Sequence, residues 1–244
     1  TPVISWNTPA AITYGTVLSG TQLNATSGGV AGTFVYSPAS GVILNAGSQT
    51  LSVAFTPTDG LNYNSVPVTT VTLTVDKATP TITWNTLATT TCRARLYISE
   101  VTATSNGKAG TFVYTPASGA ILNAGSQTLS VAFTPTDGLN YNSVPSTTVT
   151  LTVNKATPVI AWNSPTAITY GTALSGTQLN ATSGGVTGTF VYNPASGAVL
   201  NAGSQTLSVA FTPTDAANFN SVLVTTVSLT INKKTLIVTA NNQS

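Results

Sequence analysis

The sequence predicts an all-β chain of three tandem antiparallel β-sandwiches, and three observations carry that reading. Trp6, Trp84 and Trp162 stand 78 residues apart, and each opens the same text. Apolar and polar residues alternate with a period of two through Leu51, Val53 and Phe55 and through Val71, Leu73 and Val75, the pattern of strands with one buried face. No stretch sustains a helical period. A repeat of 78 residues is long enough to bury a small core of its own, unlike a solenoid repeat that needs its neighbours. The expected organisation is residues 1–78, 79–156 and 157–234, followed by 235–244 as the opening strand of a further, truncated module.

Within the first repeat the strand signals follow in order: Pro2 to Trp6, Ile12 to Tyr14, Val17 to Thr26, Gly32 to Tyr36, Val42 to Leu44, Gln49 to Thr56, and Val68 to Val75. Short strands in this number, punctuated by turns, argue for two packed sheets, with Trp6, Phe34, Tyr36, Leu51, Phe55 and Leu73 feeding one core. Thr56-Pro57-Thr58-Asp59-Gly60 combines a fixed φ with an Asx-type turn. Asp59 and Tyr63 have the spacing of a tyrosine corner, in which the Tyr hydroxyl bonds backbone across the bend. The pair recurs as Asp137 and Tyr141, and as Asp215 and Phe219, so the third corner is expected to be the loosest.

The copies are nearly identical: residues 32–80 and 110–158 differ at four positions, and residues 12–29 and 168–185 at one. Such uniformity argues for a role that repeats along the chain and against a single active site. The joints Asp76-Lys77-Ala78-Thr79-Pro80 and Asn154-Lys155-Ala156-Thr157-Pro158 hold no Gly/Ser spacer, so they are expected to be stiff and the array to be an extended rod. Thr1-Pro2 matches the same joint text, which leads us to expect a piece of a longer protein.

Charged residues make up 5% of the chain, against about 25% in an ordinary soluble domain. Seven scattered Lys and Arg form no basic stripe, which argues against nucleic acid as a partner. The apolar residues alternate with Thr, Ser and Asn and never approach the ~18 consecutive positions of a membrane helix. The single cysteine, Cys92, has no partner for an intramolecular bridge.

Catalysis has little to work with. The chain lacks His, and three of its five acids are the same turn residue repeated, so no catalytic residue, enzyme activity or cofactor is expected. Asp59 with Asn62 and Asn64 is the one weak metal candidate, yet calcium sites gather several oxygens and usually more than one carboxylate. Thr70, Thr72 and Thr74 form an outward row that ordinary strand propensity explains. The second repeat departs from the others between Leu87 and Lys108. Cys92, Arg93, Arg95, Glu100 and Lys108 gather there, with Cys92 in the place of Tyr14 and Tyr170, as a candidate interaction patch.

Leu44-Asn-Ala-Gly47, Leu51-Ser-Val-Ala-Phe55, Asp59-Gly-Leu-Asn-Tyr63-Asn-Ser and Val71-Thr-Leu-Thr-Val75-Asp-Lys-Ala-Thr-Pro80 resemble the bacterial immunoglobulin-like repeat domains of large surface proteins and adhesins. The resemblance covers nearly the whole chain three times. It implies immunoglobulin-like sandwiches acting as a non-catalytic stalk outside the bacterial cell, with adjacent modules of the same longer chain as partners. Two other roles fit the sequence: a self-assembling extracellular fibre joined through strand donation or end-to-end contacts, and a module binding surface glycans through exposed aromatics such as Tyr14 and Tyr170. Leu236, Ile237 and Val238 are expected to be disordered, packed on the third repeat, or donated to a neighbour.

Overall fold

The computed structural model describes residues 1–85, 88–93, 95–96 and 102–239. The chain divides into two compact units: Thr1–Thr86 with Ile98–Ser118 and Leu129–Val149, and Leu87–Tyr97 with Gly119–Thr128 and Thr150–Ser244. The dividing line crosses the second repeat, so the first unit holds repeat 1 and part of repeat 2, and the second holds the remainder with repeat 3. Among the described residues there is no helix, and hence none long and apolar enough to cross a membrane.

In repeat 1 a four-stranded sheet has the order β1-β4-β3-β2, from β1 (Ile12–Thr13), β2 (Gly32–Ser37), β3 (Gly47–Pro57) and β4 (Val66–Asp76). β2 and β4 flank β3 in antiparallel register, with Phe34 opposite Phe55 and Leu51 opposite Val71. The sheet is not wholly antiparallel as expected, because β1 joins β4 in parallel through Ile12 and Val75. In repeat 2, β5 (Thr83–Trp84) pairs with β7 (Ala103–Thr104), β6 (Thr90–Thr91) runs parallel to the end of β10 (Val144–Asn154), and β8 (Gly110–Thr115) is antiparallel to β9 (Gly125–Pro135). Repeat 3 reproduces the first sheet with β11 (Ile168–Thr169), β12 (Gly188–Asn193), β13 (Gly203–Pro213) and β14 (Val222–Asn232) in the order β11-β14-β13-β12.

The second layer departs from expectation. Residues 2–6, 17–26 and 42–44 make only the isolated bridges Ser5 with Thr26 and Val17 with Ile43. The cause is local: the Ser19 carbonyl accepts from the Gln22 and Leu23 amides, and Gln22 Oε1 accepts from the Ser19 amide and hydroxyl. These bonds give the backbone a closed turn in place of a ladder. The turn in turn serves the core, since Trp6 Nε1 donates to the Gln22 carbonyl at 3.0 Å, and Trp162 Nε1 donates to Gln178 in the same way. Trp84 Nε1 finds no acceptor among the described residues; the matching position is Glu100, which lies outside them.

The alternation in β3 and β4 is obeyed. Leu51, Val53, Phe55, Leu73 and Val75 are buried while Thr70, Thr72 and Thr74 face outward. Leu18 and Leu23 close the core of repeat 1, with Trp6, Tyr36 and Leu44 packed against it. Phe34 tilts over Phe55 with centroids 4.7 Å apart, and Phe190 does the same over Phe211. Gly32 and Gly188 open strands β2 and β12 beneath those rings: a Cβ at either position would overlap the facing carbonyl oxygen, of Thr56 or Thr212, and the buried ring. Leu236, Ile237 and Val238 are exposed by more than four-fifths, at 86%, 83% and 83%, so they do not pack on the third repeat.

Candidate functional site

The side chains that gather polar chemistry are those of the Asp-x-x-Asn corner. Each corner begins as an Asx turn. The Asp59 carboxylate accepts from the Leu61 and Asn62 amides at 3.2 Å and from Asn62 Nδ2 at 2.7 Å, and the Tyr63 amide bonds the Asp59 carbonyl at 3.1 Å. The expected tyrosine corner is therefore corrected: backbone and Asp59 make this bend, and the hydroxyl that accepts a distant backbone amide is that of Tyr36, from Ala25 at 3.0 Å. Tyr114 and Tyr192 repeat this bond with Ala103 and Ala181.

What the corner does becomes visible at Asn140, inside the first compact unit. Its carboxamide is buried and fully used: Oδ1 accepts from the Ala46 amide at 2.8 Å, while Nδ2 donates to Asp137 Oδ2 at 2.9 Å and to Asn45 Oδ1 at 3.3 Å. Around it, the Ala78 amide donates to the Asn140 carbonyl at 3.0 Å and the Asn142 amide to the Ala78 carbonyl at 2.8 Å, a one-residue parallel bridge. Lys77 Nζ donates to the Gly138 carbonyl at 2.6 Å, and Asn142 Nδ2 to Thr79 Oγ1 at 3.0 Å. Tyr14 meets Tyr141 edge to face with centroids 5.3 Å apart. The base of repeat 1 and the corner of repeat 2 are thus locked by backbone bonds on both sides of one buried amide.

The second compact unit holds the same lock between repeats 2 and 3. Asn218 Oδ1 accepts from the Ala124 amide at 2.7 Å, its Nδ2 donates to Asp215 Oδ2 at 2.8 Å and Asn123 Oδ1 at 3.4 Å, and Lys155 Nζ donates to the Ala216 carbonyl at 2.7 Å. Ala156 takes the bridging role with Phe219. Here Cys92 replaces the tyrosine: its buried thiol donates to the Asn218 carbonyl at 2.8 Å, and the Arg93 guanidinium lies 4.9 Å from the Phe219 ring centroid. Phe219 is buried under the residues of repeat 2 that cover it, whereas Tyr63, which no preceding repeat covers, is 41% exposed.

The divergent stretch is therefore engaged at the joints. Cys92 and Arg93 cover the corner of repeat 3, Arg95 bridges Ile121 within the second unit, and in the first unit Lys108 Nζ lies 5.1 Å from the Tyr141 centroid. The Tyr141 hydroxyl beside it pushes the Lys108 ammonium pKa up. Glu100 lies outside the described residues. The weak metal candidate does not converge either: Asn62 and Asn64 turn their amide nitrogens to Asp59 and Thr1, and the Asp59 oxygens already accept hydrogen bonds.

Donation from the Asn62 side chain, followed by its backbone amide, holds the Asp59 carboxyl below its ordinary value of 3.8. Asn140 does the same for Asp137, with the charge of Lys77 adding to it. A depressed carboxyl contributes its stabilisation above the ordinary value and loses it as pH falls through the folded one. The amide resonances of Asn62 and Asn140 should therefore titrate with midpoints below 3.8; midpoints at or above 3.8 would contradict the turn geometry.

Sequence reasoning singled out Asp59 and Tyr63 but missed Asn140 and Asn218 as the centres of the two joints. One signal was present: where Gly138-Leu139 becomes Ala216-Ala217 and Tyr141 becomes Phe219, the Asp and Asn of the corner are kept.

No family model and no curated protein matches the sequence. Similarity to solved structures is distant. Fibronectin(III)-like modules of Clostridium thermocellum CbhA align at 12% identity over 81% of this chain and 93% of that one, with a TM-score of 0.24. Drosophila N-cadherin EC1-4 aligns at 13% identity over 77% and 58%, with a TM-score of 0.23. A Bacteroides ovatus protein, SGBP-B of the mixed-linkage glucan utilization locus, solved with a mixed-linkage heptasaccharide, aligns at 11% identity over 93% and 67%, with a TM-score of 0.21.

Proposed function

We propose that the chain is a non-catalytic spacer of a bacterial surface or secreted protein, in which self-sufficient immunoglobulin-like repeats are joined through the corner asparagines Asn140 and Asn218. The observation that supports this reading most is the Asn140 carboxamide, which fixes the base of one repeat to the corner of the next with every polar group satisfied. A joint held by opposed backbone bonds resists bending in a way that a tether of five flexible residues does not. Three of the five acids, Asp59, Asp137 and Asp215, are occupied in turns, and the bacterial surface location and adjacent-module partners come from the family resemblance. The glycan-binding role draws less support at Tyr14, which stands edge-on to Tyr141, than at Tyr170, which is 47% exposed.

Strands of 11 residues at ~3.3 Å each make a repeat about 35–40 Å long, so three in line reach about 100–120 Å. Small-angle scattering of a dilute sample is expected to give a maximum dimension in that range. A compact cluster, with a maximum dimension nearer ~60 Å, would overturn the spacer.

A further inference from the structure

We propose that the edge strands β2, β8 and β12 are sites of lateral self-association, at which the edge of one copy pairs antiparallel with the matching edge of a second copy. The register leaves these edges open. The Thr214 amide bonds the Thr187 carbonyl at 2.9 Å, so the residues of β12 that exchange bonds with β13 are Thr189, Val191 and Asn193. Gly188, Phe190 and Tyr192 turn their backbone groups the other way, where β12 ends the sheet, and those groups meet no partner among the described residues. The other repeats keep the same phase. Thr58 bonds the Ala31 carbonyl at 3.0 Å and Thr136 the Ala109 carbonyl at 2.9 Å, which turns Phe34, Tyr36, Phe112 and Tyr114 outward along β2 and β8.

The side chains are unfinished at the same edge. Phe190 and Tyr192 are only half-buried, although Phe211 on the neighbouring strand is 1% exposed, and with Leu179 and Val191 they line an open recess of about 390 Å³. Val35, Val113 and Val191 stand 62%, 60% and 62% exposed on the outer face. Sheet edges are ordinarily blunted by Lys, by Pro or by a bulge. β2, β8 and β12 carry none of these: Gly-Thr-Phe-Val-Tyr is their shared text, no residue in them is charged, and their registers run unbroken.

The occupant that fits this edge is the edge itself. With Phe190 opposite its counterpart in the second copy, Gly188 falls opposite Tyr192, and each of these outward-facing pairs can exchange two backbone bonds. On the outer face Thr189 falls opposite Val191 of the second copy, so two β-branched residues cover each other and no like charges meet. The register is two-fold and closes a symmetric pair at each edge. One six-residue edge buries far less than the ~1,200 Å² of a stable complex, so a dissociation constant on the order of 0.1–1 mM is expected. The inference goes beyond the spacer reading and can fail without it, because it is read from concentrated samples and the spacer from the dimension of the dilute chain.

The first test is sedimentation equilibrium of the whole chain from about 10 μM to about 1 mM, over which the weight-average mass should rise above 24.7 kDa. Over the same range hydrogen exchange should slow at the Phe190 and Tyr192 amides and stay unchanged at Thr189 and Val191, which already lie in the ladder. The second test reads the register. One chain carries Thr33→Cys, Thr111→Cys and Thr189→Cys, another carries Val35→Cys, Val113→Cys and Val191→Cys, and all six positions are exposed. Across the pair a Thr position lies about 4.5 Å from a Val position between Cα atoms, within reach of a disulfide, whereas like positions lie about 7–8 Å apart. The mixture should therefore cross-link about tenfold or more faster than either chain alone, with the unsubstituted chain giving the background of Cys92. Cross-linking that is equally fast in all three samples overturns the proposal. So does a wild-type chain that stays monomeric at the highest concentration, which would leave the edge to an extended segment of a different protein.

Discussion

Gly188→Ala is expected to destabilise the third repeat by about 3 kcal/mol, a large effect for one methyl group. Gly188 pairs with Pro213 at the start of β12, beneath the buried Phe211 ring. A Cβ there would meet the Thr212 carbonyl oxygen and two ring carbons, and neither the ladder backbone nor a ring packed on Phe190 can retreat. The glycine is thus a seat for the aromatic ring, a pairing that stabilises strands otherwise weakened by glycine. Gly176→Ala is the control: its Cβ would meet nothing within 4 Å, so a change within about 0.5 kcal/mol is expected. Native-state hydrogen exchange in β12 and β13 reads the repeat by itself. Equal effects from the two substitutions would remove the steric account.

Asn140→Asp should open the first joint while leaving the sheets folded. The substitution keeps size and shape but turns the donor that faces Asp137 Oδ2 and Asn45 Oδ1 into an acceptor, and places a charge at a buried position 2.9 Å from the exposed Asp137 carboxylate. Breaking a satisfied buried network in this way costs about 3–5 kcal/mol. The Ala46 and Ala78 amides should lose protection while those of β3 and β4 keep theirs. Asn142→Asp, on an exposed residue whose Nδ2 reaches Thr79 Oγ1, should cost less than about 1 kcal/mol. Unchanged protection at Ala46 in the Asn140 variant would mean that the backbone bridge alone holds the joint.

The parts of the fold that could be read from the text are those decided by local period. Leu51, Val53 and Phe55 alternate in sequence and are buried in the structure because a strand sends successive side chains to opposite faces. The stretch from Val17 to Thr26 misled because its apolar residues suggest a strand, while Ser19 and Gln22 close a turn through side-chain bonds that no hydropathy pattern registers. Asp59 was legible as a turn residue, yet the role of the corner was not. The amide that Asn140 receives belongs to Ala46, 94 residues earlier, and a pairing at that separation leaves no periodic trace. Tyr36 was placed in the core correctly; that its hydroxyl, and not that of Tyr63, would meet a distant amide depends on depth in the sandwich, which spacing alone does not give.

The lock between repeats has a genetic consequence. Each 78-residue segment carries an accepting base at one end and an inserting corner at the other. Unequal crossing-over between near-identical copies adds or deletes a whole segment, and every surviving junction still finds both of its halves. Lineages can therefore lengthen or shorten such a protein in single recombination events, without a compensating substitution anywhere else.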